Sequence, residues 1–318
     1  MPRQSDLLTL YRVSRYWYKD GMTQKQIASI ENLSRSQISR LLERARELGI
    51  VRVSLHLPPE FDMSELAQAL KDRLNLENVI VAPAGSGSMT DDSRISQAIA
   101  IAAAEYLSHA DLGNKVVGIG WGRTIYETSL QLSYSSNSVP PYFVPLIGMS
   151  GDDNPYLQIN VIIDRFCEKF RCHGLFANIP TIRDKNLPLT KLESERLANL
   201  RDYWKGLDMA IIGLGNPPDK ATSVITEFSG EYIRKVSQKG ICADILAQYF
   251  YQSGEIFDLD DSYDHVAYDI HRLKTLKSVI CLAGGADKVT GIITAAKRGF
   301  IKTLITDSMT ARLIFENI

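Results

Sequence analysis

The sequence predicts an α/β chain: a small, basic, helical head followed by a large parallel sheet with helices on both faces. Three observations carry this. Between Met22 and Leu57, two short helical patterns stand back to back and run into an alternating strand pattern. From Lys115 to Thr306, short continuous apolar runs alternate with helical stretches. Most of those runs end in glycine. Unbroken apolar strands separated by helices mark a parallel sheet buried on both sides. At 318 residues two domains are expected. Hydrophobic content of 45% supports real cores, and 23% charge speaks against disorder.

The head begins with a helix from Leu7 to Tyr18. Leu7, Leu10, Tyr11, Ser14, Trp17 and Tyr18 fall on one face and are expected to pack behind the next two helices. Thr23 is an N-cap and Gln26 follows at capping-box spacing. The short helix after it carries Ile27, Ala28 and Ile30. Glu31-Asn32-Leu33 is a turn plugged by Leu33. Ser34 caps a longer helix running to about Leu48, with Ile38, Leu41, Leu42, Ala45 and Leu48 as its apolar stripe. Gly49 ends it. Val51, Val53 and Leu55 alternate with Arg52 and Ser54, as in a half-buried strand. Helix, tight turn, polar-faced helix and strand wing make a winged helix-turn-helix over residues 1–57.

The chemistry of that head fits DNA. A recognition helix presents its N-terminal residues to base edges in the major groove. Arg35 can fork onto guanine and Gln37 onto adenine, while Ser34, Ser36 and Ser39 suit phosphates or edges. Thr23, Gln24, Lys25 and Arg40 are placed to hold the backbone. The charge agrees: residues 1–57 carry ten basic groups against five acidic ones, although the whole chain is −1. A basic head on an acidic body suggests a nucleic-acid partner for the head alone.

Pro58-Pro59-Glu60-Phe61-Asp62 opens a linker spanning 58–63, since two prolines cannot continue a strand. The body, 64–318, starts with a helix from Ser64 to Leu74 and a strand at Val79–Ala82, ended by Pro83. Gly85 to Ser88 is a loop. Asp92 to Leu107 is a nearly all-apolar helix, expected to be deeply buried, the alternative being a place in a subunit interface. Then come strand, loop and helix at Lys115–Ile119, Gly120–Thr124 and Ile125–Leu132. Further strands are expected at Tyr142–Ile147, Leu207–Ile212, Val279–Ala283 and Leu304–Thr306. Helices are expected at Leu157–Phe170 and Lys288–Arg298, with a short one last. Ligands of such sheets bind beyond the carboxyl ends of the strands. There, glycine lets backbone approach an anion, and a helix start offers unpaired N–H groups. Arg123, Thr124 and Lys288 add charge and a hydroxyl, so a phosphate fits. The spacing Gly118-x-Gly120-x-Gly122 is neither a dinucleotide nor a Walker pattern, so no nucleotide cofactor is expected.

Other classes are excluded more simply. There is no membrane-spanning apolar run and no signal-peptide pattern, which points to the cytoplasm. Cys167, Cys172, Cys242 and Cys281 show no Cys-x-x-Cys pairing and read as reduced thiols. The five histidines have no metal-ligand spacing, so no metal site is expected.

Segments spread over nearly the whole chain bear a family likeness: DGMTQKQIA, SRSQISRLLERARELGIVRV, VVGIGWGRT, KGICADIL, LAGGADK and LITD, in that order. Together they resemble the SorC family of bacterial sugar-responsive transcription regulators. That resemblance implies an N-terminal helix-turn-helix and an effector domain similar to sugar-phosphate isomerases. It implies a phosphorylated sugar or polyol as effector and a homotetramer on operator DNA. By position it places the phosphate on Gly120, Trp121, Gly122, Arg123, Thr124, Gly284, Gly285 and Lys288. Asp244, within Lys239-Gly240-Ile241-Cys242-Ala243-Asp244, would accept sugar hydroxyls beside Lys239. Gln158 and Asn160 would line the pocket. Where many relatives have a Val-Gly pair before the aspartate, this chain has Ile241-Cys242-Ala243. The alternative is a sugar-phosphate isomerase or deaminase with a DNA-binding head. Such an enzyme needs a positioned acid–base pair, and no segment pairs a carboxylate with a histidine to supply one. A regulator without catalytic residues is therefore the expectation.

Overall fold

The computed structural model describes residues 4–51, 62–83, 92–134, 139–150, 154, 156, 158–218, 220, 240–258 and 263–318. The chain divides into two compact units: Met1–Pro58 with Ser133–Ser136, and Pro59–Leu132 with Asn137–Ile318.

The head is built from α1 (Gln4–Tyr18), α2 (Gln24–Glu31) and α3 (Arg35–Glu47). Both capping boxes form: Thr23 with Gln26, and Ser34 with Gln37. Between the two helices Asn32 takes the left-handed conformation, φ 53°, which asparagine tolerates better than most residues. After α3, Gly49 is left-handed at φ 70°. There Ile50 N–H donates to Ala45 O and Gly49 N–H to Arg46 O, a Schellman stop. Val13, Ile27, Ala28, Ile38 and Leu42 form the core, with Trp17 and Leu33 against it. An Arg12–Glu31 fork, both contacts 2.6 Å, clips α1 to the end of α2. The hydrogen bond from Arg12 holds the Glu31 carboxyl below its ordinary range.

The face of α1 differs from expectation. Leu10, Val13 and Ser14 are buried, whereas Leu7, Tyr11 and Tyr18 are exposed. The buried stripe is centred on Val13, because α1 meets two helices at once rather than one. The wing residues 52–57 and most of the linker lie outside the described residues, as do Gly85–Ser88.

In the body, β1 (Asn78–Ala82), β2 (Val116–Ile119), β3 (Tyr142–Pro145), β4 (His173–Gly174), β6 (Met209–Gly213), β10 (Ser278–Leu282) and β11 (Thr303–Asp307) form one sheet. Its order is β1-β11-β10-β6-β2-β3-β4, and every pairing is parallel. The central strands are buried along their length, as unbroken apolar runs require. The helices are α4 (Ser64–Leu74), α5 (Asp92–His109), α6 (Arg123–Gln131), α7 (Ile159–Phe170), α8 (Lys191–Lys205), α9 (Ile270–Leu273), α10 (Val289–Lys297) and α11 (Ser308–Glu316). A small ladder joins β5 (Ile182–Asp184) to β9 (Tyr263–His265), and a hairpin joins β7 (Ile241–Ile245) to β8 (Gln248–Tyr251).

Three expectations shift. α6 starts at Arg123, so Arg123 and Thr124 are its first turn rather than loop. The helix expected from Lys288 begins as a 3-10 turn, Ala286–Lys288, and becomes α10 at Val289. α5 buries only one face, and Ile101 on the other is 52% exposed. No helix among the described residues is long and apolar enough to cross a membrane.

Candidate functional site

β2 lies between β3 and β6. From β2 the chain moves outward to β3 and β4, and from β6 it moves outward the other way, to β10 and β11. The carboxyl ends of β2 and β6 therefore flank a topological switch point, where such sheets hold ligands. A cavity of about 160 Å³ opens there. Trp121 to Ile125 line it after β2, Gly213 to Asn216 after β6, and Leu282, Gly284 and Lys288 after β10. Asp244 and Leu246 come from the hairpin, Asp92 and Ser96 from α5, and Asn154 and Tyr156 from the segment before α7.

Two helix starts meet at this cavity. Gly122, at φ 123°, is the N-cap of α6, and no side chain caps it. Among the described residues, no side chain caps the first-turn N–H groups of α6, which have no intrahelical partners. Gly285, at φ 111°, opens the 3-10 turn, again without a side-chain cap. Such starts attract anions through N–H groups and the helix dipole. Arg123 adds a guanidinium held 5.2 Å from the Tyr156 ring centroid. Thr124 is buried, with its hydroxyl on Ser96 Oγ at 3.3 Å.

The Gly284-Gly285 loop is braced from below. Asp307 Oδ1 accepts the N–H groups of Met309 and Thr310, both at 3.0 Å. Its other oxygen accepts the Thr310 hydroxyl, and Thr310 Oγ1 in turn accepts Gly285 N–H at 2.7 Å. A Cβ on Gly284 would lie 2.4 Å from Asp307 Oδ2, so glycine is required there.

Opposite stands Asp244, 5% exposed. Gly215 N–H donates to Asp244 O at 2.9 Å. The carboxylate sits over Gly215, where a Cβ would fall 1.8 Å from Oδ1. Asp244 Oδ2 accepts Ala247 N–H at 3.1 Å across the hairpin turn. That turn, Leu246-Ala247, has φ of 53° and 58° without a glycine. Such a conformation costs about 1 kcal/mol or more per residue, and here it carries Leu246 into the cavity. Burial pushes the Asp244 carboxyl up to about 6, against the opposing pull of Ala247 N–H and Lys288. Burial lowers Lys288, and Asp244 and Asp92 partly restore it. The cavity thus gathers two cations, Arg123 and Lys288, with two carboxylates, Asp244 and Asp92, both close enough to Lys288 to raise it.

On the head, Arg35, Ser36, Gln37, Ser39 and Arg40 are all exposed. Gln37 Oε1 accepts Ser34 N–H at 2.8 Å, and Ser34 Oγ accepts Gln37 N–H at 3.2 Å. Ser34 Oγ and Gln37 Oε1 are thereby engaged in the cap, and Ser36 Oγ lies 2.9 Å from Ser34 Oγ, which leaves Arg35, Ser39 and Arg40 outward. Thr23 is likewise in its own capping box, while Lys25 is exposed and Gln24 half-buried.

A family model described as "Putative sugar-binding domain" matches residues 59–316. The chain belongs to this sugar-binding family. Over 99% of the chain and the whole of the relative it is 26% identical to the sorbitol operon regulator of Klebsiella pneumoniae. It is 24% identical, over the full length of both, to the deoxyribonucleoside regulator of Bacillus subtilis. The crystal structure of full-length SorC from Klebsiella pneumoniae superposes with a TM-score of 0.74 at 24% identity, covering 98% of this chain and 99% of that one. These likenesses bear out the family resemblance read from the sequence and the two-part fold.

Within this sugar-binding family fold, the residues singled out from sequence divide. Trp121, Gly122, Arg123, Thr124, Asp244, Gly284 and Lys288 come together around the cavity. Gly120 lies beside it: its N–H donates to Ile211 O at 2.8 Å, and a Cβ would press on Leu246. Gly285 serves the brace rather than the lining. Gln158 and Asn160 are not among the lining residues. Asn160 is instead locked on Ala177, donating to its carbonyl at 2.7 Å and accepting its N–H at 2.8 Å. Lys239 lies outside the described residues. Sequence reasoning missed Asp92, Ser96, Asn154, Tyr156 and Leu246, which reach the site only through folding. Asp307 had a local signal, an aspartate at a strand end one residue before a helix.

Proposed function

We propose that the protein is a DNA-binding transcriptional regulator of a carbohydrate-utilisation operon, controlled by a phosphorylated sugar or polyol. Residues 1–57 read the operator, and residues 64–318 bind the effector. The observation that carries the reading is the polarity of the cavity. The start of α6 with Arg123 and Lys288 suits a phosphate, and the Asp244 carboxylate in the same cavity suits hydroxyl groups. The names of the curated relatives, a sorbitol operon regulator and a deoxyribonucleoside regulator, support the same class.

On the head, Arg35 is assigned to a base edge, with Ser36 and Ser39 beside it. Thr23, Gln24, Lys25 and Arg40 position the phosphate backbone, and Ser34 and Gln37 hold the helix start in shape. A single small head gives modest affinity, so the body is assigned the role of joining copies, as a tetramer, in the cytoplasm. The effector can change operator affinity only as far as it prefers one arrangement of the assembly over another.

A thermal-shift screen of phosphorylated sugars and polyols against their unphosphorylated parents tests this. A ligand that binds only the folded state raises the melting temperature by mass action. The expected result is stabilisation by a phosphorylated compound and none by its parent, together with a change in operator gel shift. Stabilisation by parent and phosphate alike would overturn the phosphate assignment. Sedimentation showing a stable monomer with and without DNA would overturn the assembly.

A further inference from the structure

All four cysteines are unbridged thiols. Cys242 and Cys281 are buried in the body core. Burial pushes both thiols up, Cys281 to about 12, so neither is poised to react. Cys167 and Cys172 are placed differently. α7 ends in a Schellman turn, with Arg171 left-handed at φ 52°. Arg171 N–H donates to Glu168 O at 3.3 Å, and Cys172 N–H to Cys167 O at 3.0 Å. This turn brings together the side chains at its two ends, a contact that is ordinarily apolar. Here both side chains are thiols.

The surroundings hold them there. The Cys167 sulfur packs on Gly174, where a Cβ would lie 2.8 Å from it. Cys172 keeps partial exposure and leads directly into β4, which pairs with β3 at Tyr142 and His173. A hydrogen bond from the Cys172 thiol to the Cys167 sulfur holds Cys167 below the usual thiol range. The same bond, with burial, holds Cys172 above it. The pair therefore gives up its first proton more readily than an isolated buried thiol.

We propose that Cys167 and Cys172 form a dithiol site that hydroperoxides oxidise to an intrachain disulfide. The thiolate of the pair attacks one oxygen of hydrogen peroxide, forming an S–O bond as the O–O bond breaks, and the departing hydroxide takes up the proton the pair released on ionising and leaves as water. The neighbouring thiol then attacks the sulfenic sulfur. The S–S bond forms, the S–O bond breaks, and hydroxide leaves with the thiol proton as a second water. Two thiols lose two electrons and hydrogen peroxide gains them. The co-reactant is the peroxide itself, and a dithiol reductant reverses the step.

The test uses the full-length reduced protein and hydrogen peroxide, quenched with N-ethylmaleimide and digested with trypsin. Trypsin cuts after Arg165, Lys169, Arg171 and Arg183. A disulfide would join the peptide 166–169 to the peptide 172–183, and dithiothreitol would part them. The expected result is that linked pair, with Cys242 and Cys281 still thiols that alkylate once the chain is denatured. In Cys172→Ser the linkage disappears and Cys167, left without a resolving thiol, goes on to sulfinic acid. Wild-type protein in which Cys167 is overoxidised while Cys172 remains a thiol would overturn the proposal. So would a urea-unfolded chain that forms the same linkage as fast as the folded one, because the turn would then contribute nothing.

Discussion

Asp244 offers a test of the cavity's electrostatics that needs no ligand. Its carboxyl stands at about 6 in the folded chain, against an ordinary 3.8, and burial is the main cause. At about 1.4 kcal/mol for each tenfold change in proton affinity, ionising it at neutral pH costs the fold about 3 kcal/mol. The sign follows from linkage. The folded-state value is raised, so the folded chain holds this proton more tightly than the unfolded one. The contribution is fully present below pH 3.8 and is lost as pH rises through about 6. Asp244→Asn keeps an acceptor for Ala247 N–H but has no proton to lose. Lys288 loses its partner in that variant, which lowers the whole curve without tilting it while Lys288 stays protonated. The assay is urea unfolding of wild type and Asp244→Asn from pH 4.5 to 7.5 at fixed ionic strength, followed by tryptophan emission. Trp121, which lines the cavity, and Trp204 report on the body. Other carboxylates, Glu31 among them, cancel in the difference. Relative to the variant, wild type should lose about 2 kcal/mol across this range, most of it below about pH 6.5. Parallel stability curves would refute the claim that Asp244 is held in a dry, low-dielectric site.

Four further outcomes are expected. Lys288→Met should weaken binding of the phosphorylated effector roughly 30-fold, about 2 kcal/mol for losing one partner of a buried charge pair, with effector-free operator binding unchanged; calorimetry at matched salt that finds full affinity moves the phosphate elsewhere. Gly215→Ala puts a Cβ 1.8 Å from Asp244 Oδ1 and should cost about 1–3 kcal/mol while blurring discrimination among polyols; an unchanged melting temperature contradicts that seating. Asp307→Ala removes the acceptor of Met309 N–H, Thr310 N–H and the Thr310 hydroxyl and should cost about 2 kcal/mol, with faster amide exchange at Gly285; protected exchange there would rule out the brace. Arg35→Ala should cost about 1–3 kcal/mol in operator affinity and relax one base position, whereas Gln37→Ala should mainly loosen the start of α3; gel shifts in which only Gln37→Ala alters base preference would reverse these roles.

The sequence by itself determined what local physics controls. Thr23 with Gln26, and Ser34 with Gln37, cap their helices because a capping box needs only residues three apart. Gly49 stops α3 through backbone freedom alone. The sheet strands were legible as apolar runs because burial on both faces removes alternation, and their glycine ends marked the cavity. α8 was overlooked although Thr190 and Glu193 form a third capping box, so its signal was present and local. The tertiary structure decided the rest. The β7–β8 hairpin turns on Leu246 and Ala247 at positive φ, where sequence predicts glycine or asparagine; distant packing overrides that local preference. Val13 rather than Tyr11 faces the head core, because the buried stripe of α1 is set by two neighbouring helices. Asn160, expected in the pocket, is held by Ala177, seventeen residues away. Asp92, Tyr156 and Asp244 meet at one cavity only because crossovers bring distant strand ends together at the switch point. Residue type and spacing along a chain govern contacts within a turn or two, whereas a site assembled from strand ends depends on the order in which the strands lie in the sheet.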